Sequence, residues 1–159
     1  MTIWGWCGAE IFCNMKYLTK SPRETEDLGK NIAQNANKTP RKNALVLALD
    51  GPLGGGKTTF TKGFFKAVGA KGTAVSPTFI LMRRIGLPRG NSLYHVDLYR
   101  LPHPRLIRVL EFPRLFRNPK NIVVIEWAKH AAALLPKAAV RVSFEHGHTE
   151  KERVIIVKG

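Results

Sequence analysis

The order of polar and apolar positions divides the first third of the chain into a helix and a strand. In SPRETEDLGKNIAQ, Ser21 is suited to cap a helix, Pro22 fits its first position, and Glu24 completes a capping box. We therefore predict a helix over about residues 22–35. After a polar loop, the apolar run ALVLALD at residues 44–50 has the length of a buried strand.

A glycine-rich segment joins this strand to a second predicted helix. The sequence GPLGGGKT follows the strand, and Phe60, Phe64 and Val68 then recur at helical spacing. GPLGGGKT matches G-x-x-x-x-G-K-[ST], the P-loop, in the strand-loop-helix context that this motif requires. Its backbone N–H groups and the helix dipole favour phosphate, so we expect Lys57 to reach the β- and γ-phosphates and Thr58 to bind Mg²⁺.

The second half of the chain is rich in strands. FILMRRI, NSLYHVDLY and NIVVIEW have strand patterns, AVRVSFEH and RVIIV form a closing pair, and PRLIRVLEF and AKHAAALL have helical patterns. Because strands outnumber helices here, we predict an α/β, P-loop NTPase-like three-layer fold with a mixed central sheet flanked by helices. Glu126 ends an apolar strand, the position of a second anchor for the metal.

Length and composition favour one domain. A chain of 159 residues with 44% hydrophobic content buries one sizeable core, which we assign to residues 15–159. Residues 1–14 lack the pattern of a signal or an anchor, and we interpret them as an extension outside the fold. The only cysteines, Cys7 and Cys13, form neither a metal knuckle nor a disulfide scaffold, so we expect a cytoplasmic location and no membrane association.

The chain is strongly basic. Lys and Arg number 26 against 11 Asp and Glu, which gives a formal net charge of +15. This balance favours anionic partners such as nucleotides, RNA or acidic protein surfaces, and it is equally consistent with a solvated surface.

Two further segments are rich in residues that could belong to a functional site. SPTF at residues 76–79 follows the P-loop helix, where P-loop proteins often carry a switch that senses the γ-phosphate. In YHVDLYR, His95, Asp97 and Tyr99 alternate onto one strand face. Alone, each pattern is equally typical of a solvated loop or face, and Trp127 alone is more typical of a core.

Taken in order, the P-loop, SPTF, YHVDLYR and IEW resemble the TsaE (YjeE) family from about residue 15 to the end of the chain. TsaE proteins are small P-loop ATPases required for threonylcarbamoyladenosine (t6A) formation in tRNA. The resemblance implies cytoplasmic ATP hydrolysis that supports a complex of TsaD and TsaB. It implies that tRNA is a partner only indirectly, through that complex. It implies ATP and Mg²⁺ as cofactors, with the P-loop residues Gly51, Gly54, Gly55, Gly56, Lys57, Thr58 and Thr59 on ATP.

The resemblance also implies roles for residues outside the P-loop. Glu126 and Thr58 would hold the metal, and Trp127 would lie beside the nucleotide. Asp97, with Lys57, would serve hydrolysis, Thr78 of SPTF would act as a switch, and Thr25 would lie near the base. The sequence departs from the family at several positions, which leave the nucleotide site intact and bear instead on whether the partner surface is the same. Its P-loop has Pro52 and Gly55, Arg83 and Arg84 follow SPTF, AKH follows IEW, and residues 105–117 are basic.

Two alternative functions remain open at this point. A small-molecule kinase would need an acceptor pocket and an arginine-bearing lid, for which RLPHPRLIR is a candidate. A basic RNA-binding module with a vestigial P-loop is the other, although Lys57, Thr58 and Glu126 are all present. A GTPase is disfavoured because the N-K-x-D motif that recognises guanine is absent.

Overall fold

A mixed sheet of seven strands forms the centre of the computed structural model, which describes residues 14–38, 40–71, 81–100, 107 and 110–159. The strands, in chain order, are β1 Met15–Thr19, β2 Leu45–Asp50, β3 Met82–Gly86, β4 Ser92–Asp97, β5 Asn121–Glu126, β6 Val140–His146 and β7 Arg153–Lys158. Their order across the sheet is β1-β7-β6-β2-β5-β4-β3. Strand β2 pairs in parallel with β5 and β6, β5 pairs in parallel with β4, and β3 and β7 run in the opposite direction. The predicted mixed sheet is confirmed.

In the part of the chain that the structure describes, the sheet is accompanied by the α-helices α1 Pro22–Asn37, α2 Lys57–Ala67 and α3 Phe112–Phe116, and by the 3-10 helices Pro88–Gly90 and Ala128–Leu134. The predicted cap of α1 is present, because Ser21 Oγ accepts a hydrogen bond from the Glu24 backbone N–H at 3.2 Å. The Glu24 carboxylate in turn accepts from the N–H of Lys20, one residue before the cap. Among the described residues, no helix combines the length and the apolar sequence that crossing a bilayer requires.

The sheet is buried on both faces, which explains the continuous apolar run of β2. Leu45, Leu47 and Leu49 point to one face and pack with α1 and α2, including Phe60 and Phe64. The alternate residues Val46 and Ala48 belong to the core on the opposite face, with Val123, Ile125, Phe112 and Phe116. These two cores and the sheet between them make the three predicted layers.

Some local expectations differ from the structure. Strand β1 was not expected, and it pairs with β7 at the sheet edge. The segment AKHAAALL is a 3-10 helix with an irregular residue at Ala131, φ −115°. Most of the helix expected in PRLIRVLEF lies outside the described residues, as do residues 1–13 and the SPTF segment. The short helix that is described, α3, begins where the expected one ends.

Candidate nucleotide-binding site

Three acidic residues and the P-loop meet at the carboxyl ends of the parallel strands. Asp50, Asp97 and Glu126 are the last residues of β2, β4 and β5, which are parallel to one another. Asp97 and Glu126 are direct partners in the register of β4 and β5. The carboxyl ends of parallel strands are the usual place for a ligand in a sheet of this kind.

A pocket of about 370 Å³ opens at these strand ends. It contains nine of the predicted site residues, which are Gly54, Gly55, Gly56, Lys57, Thr58, Thr59, Asp97, Glu126 and Trp127. Leu53, Tyr99 and Arg100 complete the lining. The structure thus brings the P-loop together with both predicted carboxylates, although they are distant in sequence.

Two P-loop positions require glycine for different reasons. Gly56, which caps α2, has φ 101° in the left-handed region, where side chains are disfavoured. Gly51 has φ 149°, and a Cβ there would lie 2.5 Å from the carbonyl oxygen of Phe144 on β6. The loop therefore holds its shape partly through close contact with the neighbouring strand.

Lys57 is held at the centre of the loop. Its Nζ donates to the carbonyl oxygens of Gly51 and Pro52, both at 2.7 Å, and lies 4.3 Å from the centre of the Trp127 ring. The residue is only 6% exposed. Burial lowers the pKa of Lys57, and the nearby carboxylates, Glu126 foremost, counteract part of that effect. Loop carbonyls and carboxylates thus lie around the Lys57 ammonium group at the pocket.

Glu126 is buried and paired with a histidine. Its Oε1 lies 3.0 Å from Nε2 of His95, and the two residues are 2% and 1% exposed. The His95 ring also packs edge-on against Phe65 of α2, with centroids 5.1 Å apart. The sequence placed His95 on a polar strand face with Asp97, but the structure makes it a buried partner that orients the Glu126 carboxylate.

Asp97 and Trp127 occupy the more open part of the pocket. Asp97 is half-buried, and its Oδ1 accepts a hydrogen bond from the Tyr99 N–H at 2.9 Å. Trp127 has a left-handed backbone, φ 58°, and its ring lies 4.9 Å from that of Tyr99. The Nζ of Lys129 lies 5.3 Å from the same indole. Trp127 therefore borders the pocket as well as the adjoining core.

Two of the predicted residues that the structure describes, Gly51 and Thr25, do not line the pocket. Gly51 shapes the loop and accepts a bond from Lys57. Thr25 is buried behind the loop, where its hydroxyl lies 2.8 Å from that of Thr19 and its methyl group packs near Gly56. Its predicted place near the base stays a prediction. Thr78 lies outside the described residues.

The donor atoms in the pocket suit Mg²⁺. The Thr58 hydroxyl and the Glu126 and Asp97 carboxylates supply oxygen, which hard cations prefer. Within the described ranges, no group of three or more His, Cys, Asp or Glu is placed to hold a metal ion. Because Mg²⁺ is usually held by one or two carboxylates together with substrate phosphates, the pocket fits a magnesium-nucleotide complex better than a metal held by protein alone.

Several residues of the site were missed in the sequence. Arg100 borders the pocket, and its place in YHVDLYR was a usable signal. Tyr99 also borders the pocket, and the sequence had marked it only as a polar residue on the strand face of His95 and Asp97. Asp50 Oδ1 accepts the backbone N–H of Lys129 at 3.0 Å, which ties the end of β2 to the segment after Glu126. Arg153 is the first residue of β7, and its Nε donates a hydrogen bond of 2.9 Å to the carbonyl oxygen of Gly54. No local pattern indicates this last contact.

Comparisons with known proteins show the family. The TsaE family model, described as threonylcarbamoyl adenosine biosynthesis protein TsaE, matches residues 19–155. The chain is 34% identical over 118 residues to the tRNA threonylcarbamoyladenosine biosynthesis protein TsaE of Haemophilus influenzae, covering 74% of this chain and 73% of the relative. It is 33% identical over 142 residues to the Bacillus subtilis protein of the same description, covering 87% and 82%.

A solved structure supports the same assignment. The crystal structure of Bacillus subtilis YdiB superposes with a TM-score of 0.70 at 29% sequence identity, covering 91% of this chain and 84% of that one. The resemblance found in the sequence motifs is thereby confirmed over most of the chain. This protein belongs to the TsaE family of tRNA threonylcarbamoyladenosine biosynthesis.

Proposed function

We propose that this protein binds ATP with Mg²⁺ at the pocket and hydrolyses it slowly, in support of t6A formation by a complex with TsaD and TsaB. One observation carries the proposal: the fold places the P-loop, Lys57, Glu126 and Asp97 around a single pocket. The threonylcarbamoyl transfer itself would belong to a partner.

The P-loop supplies phosphate binding. The backbone N–H groups of residues 54–56 and the positive end of α2 favour an anion at the start of that helix. The Lys57 ammonium has three protons, and its two carbonyl contacts hold it beside the space that β- and γ-phosphates would occupy. Lys57 would therefore neutralise phosphate charge without a large rearrangement of the loop.

Two oxygen ligands would hold the metal. Thr58 would contribute its hydroxyl and Glu126 its carboxylate, which His95 keeps in one orientation. A magnesium ion held there would supply positive charge against the negative charge that develops on the phosphate during hydrolysis. The buried His95–Glu126 pair thus fixes one ligand before the nucleotide arrives.

Asp97 is the residue that we propose acts on water. It lies in the same pocket, half-buried, and its hydrogen bond from Tyr99 N–H holds one carboxylate oxygen in place. We propose that Asp97 orients the attacking water and accepts its proton, while Trp127 packs against the nucleotide.

The rim of the pocket is suited to a protein partner. Leu53 and Tyr99 are 62% and 44% exposed although both are large and apolar, and both line the pocket. Exposed apolar side chains beside a site are typical of a docking surface. We expect TsaD and TsaB to cover this rim and exclude water, so that turnover by the isolated protein is slow.

The test follows γ-labelled ATP in three mixtures: the protein alone, the protein with TsaD and TsaB, and that mixture with tRNA. We expect slow release of labelled phosphate from the protein alone and a marked increase when the pair is added. A matched mixture with the Lys57→Ala variant controls for ATPase activity from the partners. Transfer of label to a small acceptor, with no response to the partner pair, would show a kinase and contradict the proposal.

A pair of substitutions separates the metal ligand from the group that acts on water. We expect Glu126→Gln to reduce the gain in ATP affinity that Mg²⁺ provides, because a neutral amide is a poor ligand for a hard cation. Asp97→Asn should leave ATP affinity nearly unchanged and slow hydrolysis about 100-fold or more, as loss of a general base does. Calorimetry with and without Mg²⁺, and single-turnover hydrolysis, measure the two effects.

The two variants control each other, since each removes one negative charge from the same pocket. If Asp97→Asn abolished the Mg²⁺ dependence of ATP binding while Glu126→Gln left it intact, the two proposed roles would be reversed. Melting curves of both variants identify any loss of folding. The risk is greater for Glu126→Gln, because Glu126 is buried against His95 and glutamine keeps an acceptor for that ring but removes the negative charge beside it.

A further inference from the structure

Basic residues are concentrated at the end of the sheet opposite the pocket. Four segments form this basic end, residues 40–44, 68–71, 87–91 and 117–120, and they carry the exposed residues Lys42, Lys71, Arg89, Arg117 and Lys120. Three of them, residues 40–44, 87–91 and 117–120, precede the parallel strands β2, β4 and β5, whose far ends form the nucleotide site. Residues 68–71 follow the carboxyl end of α2, which begins at the P-loop.

Backbone hydrogen bonds place Lys120 and Arg117 at the beginnings of the parallel strands. The carbonyl oxygen of Lys120, just before β5, accepts the N–H of Ser92 at the start of β4, at 3.1 Å. The carbonyl oxygen of Phe116 accepts the N–H of Ala44, just before β2, at 2.8 Å. Lys120 therefore lies where β4 and β5 begin, and Arg117 lies beside the start of β2, close to the loop that carries Lys42.

The remaining two residues adjoin the same end. Arg89 lies in the turn that joins β3 to β4. A Cβ added to Gly69, after the end of α2, would lie 3.2 Å from Cγ of Pro88 in that turn. This contact places the segment that carries Lys71, two residues after Gly69, next to the turn that carries Arg89.

Acidic residues are absent from the four segments. Of the 11 acids in the chain, Glu10 lies outside the described residues, and none of the other ten belongs to the basic end. Nine belong to the pocket end of the strands, the first turns of α1 and the region of the β6–β7 turn: Asp50, Asp97, Glu126, Glu24, Glu26, Asp27, Glu145, Glu150 and Glu152. The tenth, Glu111, precedes α3 and pairs with Arg114 at 3.3 Å.

Contacts within the described part of the protein explain little of why the five basic residues are there. None takes part in the ion pairs seen among the described residues, which are Lys66–Glu26, His95–Glu126 and Arg114–Glu111. A favourable position at a helix carboxyl end accounts only for Arg117, the C-cap of α3. Like charges gathered without acids repel one another, so their clustering favours an external anion.

We propose that the basic end binds the sugar-phosphate backbone of RNA, and that this protein contacts tRNA directly. Phosphate contacts require positive charge and hydrogen-bond donors, which Asn43 and Asn118 add to the same segments, and they do not require an apolar centre. A protein partner would favour exposed apolar anchors, and Leu53 and Tyr99 provide these at the pocket instead. RNA is preferred over DNA because the family acts in tRNA modification.

The test compares tRNA binding by two charge-matched variants of the full chain over a range of salt concentrations. In the first, the five bases of the basic end are replaced by glutamine. In the second, five exposed bases elsewhere are replaced in the same way: Lys20, Arg23, Lys30, Lys62 and Lys151. Each variant loses five positive charges, so the two differ in where charge is lost and not in how much.

We expect the unmutated protein to bind tRNA with a strong salt dependence. The basic-end variant should bind at least tenfold more weakly at low salt, and the slope of log affinity against log salt should fall by up to about 4, because each phosphate contact contributes about 0.7–0.9. The control variant should stay within about threefold of the unmutated protein. If the variant with all five substitutions fails to fold, two double variants replace it: Lys42→Gln with Lys120→Gln, and Lys71→Gln with Arg89→Gln. Each should show part of the loss of tRNA affinity.

Four outcomes would overturn the proposal. These are no tRNA binding by the unmutated protein, an equal loss in both variants, displacement of tRNA by saturating ATP, and competition by polyglutamate as effective as that by tRNA. The third would mean that RNA phosphates occupy the P-loop, and the fourth that the basic end binds acidic polypeptides. Because ATP binding is measured separately, failure of the proposed ATPase leaves the result on RNA unaffected.

Discussion

Replacing Lys57 with alanine is expected to weaken ATP binding by about 1.5–3 kcal/mol, which corresponds to roughly tenfold to 150-fold in the dissociation constant. The physical reason is the loss of a charge-assisted contact to phosphate at a site where the lysine is already positioned. Its Nζ is held by two loop carbonyls at 2.7 Å and does not have to be drawn in from solvent. Titration calorimetry with ATP and Mg²⁺ measures the change.

Lys62→Ala is the matched control for this substitution. Lys62 belongs to the same helix, but it is exposed and does not line the pocket. We expect its ATP affinity to equal that of the unmutated protein, which would show that the effect at position 57 does not come from net charge. Binding by the Lys57→Ala protein that matched the unmutated one would contradict ATP binding at the P-loop.

The sequence was most informative where structure is determined locally. The P-loop could be predicted because its glycines, lysine and threonine lie within eight residues and follow an apolar run of strand length. Glu126 could be predicted because the carboxyl end of a buried strand is a defined place in such a fold. In both cases a short stretch of sequence was enough to predict where the residue lies in the fold.

The sequence was less informative about contacts between distant segments. The Arg153 contact to the Gly54 carbonyl depends on β7 pairing with β6 and on β6 lying next to β2. Alternation along β4 correctly placed His95 and Asp97 on one face, but it could not show that Phe65 of α2 covers His95 while Asp97 stays in the pocket. Likewise, net charge was known from composition, whereas its separation into two ends follows only from strand order and direction.

The contact between α1 and α2 combines both kinds of information. Gly29 and Gly63 lie inside helices, where glycine is about 1 kcal/mol less favourable than alanine, so propensity alone counts against them. The structure supplies the reason for their presence. A Cβ at Gly63 would overlap the carbonyl oxygen of Glu26, and one at Gly29 would overlap that of Phe60. The two helix backbones therefore touch directly.

Gly63→Ala is accordingly expected to destabilise the protein, although helix propensity predicts the opposite sign. Backbone atoms of α1 occupy the space of the new methyl group, so the helices must separate, and overpacking of this kind costs about 1–3 kcal/mol or more. Each kcal/mol lowers the melting temperature of a domain of this size by about 2–4 °C. Thermal and urea unfolding, followed by circular dichroism, measure the loss.

Gly86→Ala provides the control, because a Cβ at Gly86 would have no atom within 4 Å and its φ is not positive. We expect its stability to stay within about 0.5 kcal/mol of the unmutated protein. Since α2 begins at the P-loop and Thr25 of α1 packs against Gly56, separation of the helices by Gly63→Ala should also weaken ATP binding. An increase in melting temperature for Gly63→Ala would show that helix propensity outweighs the steric conflict and that the two backbones are not in contact.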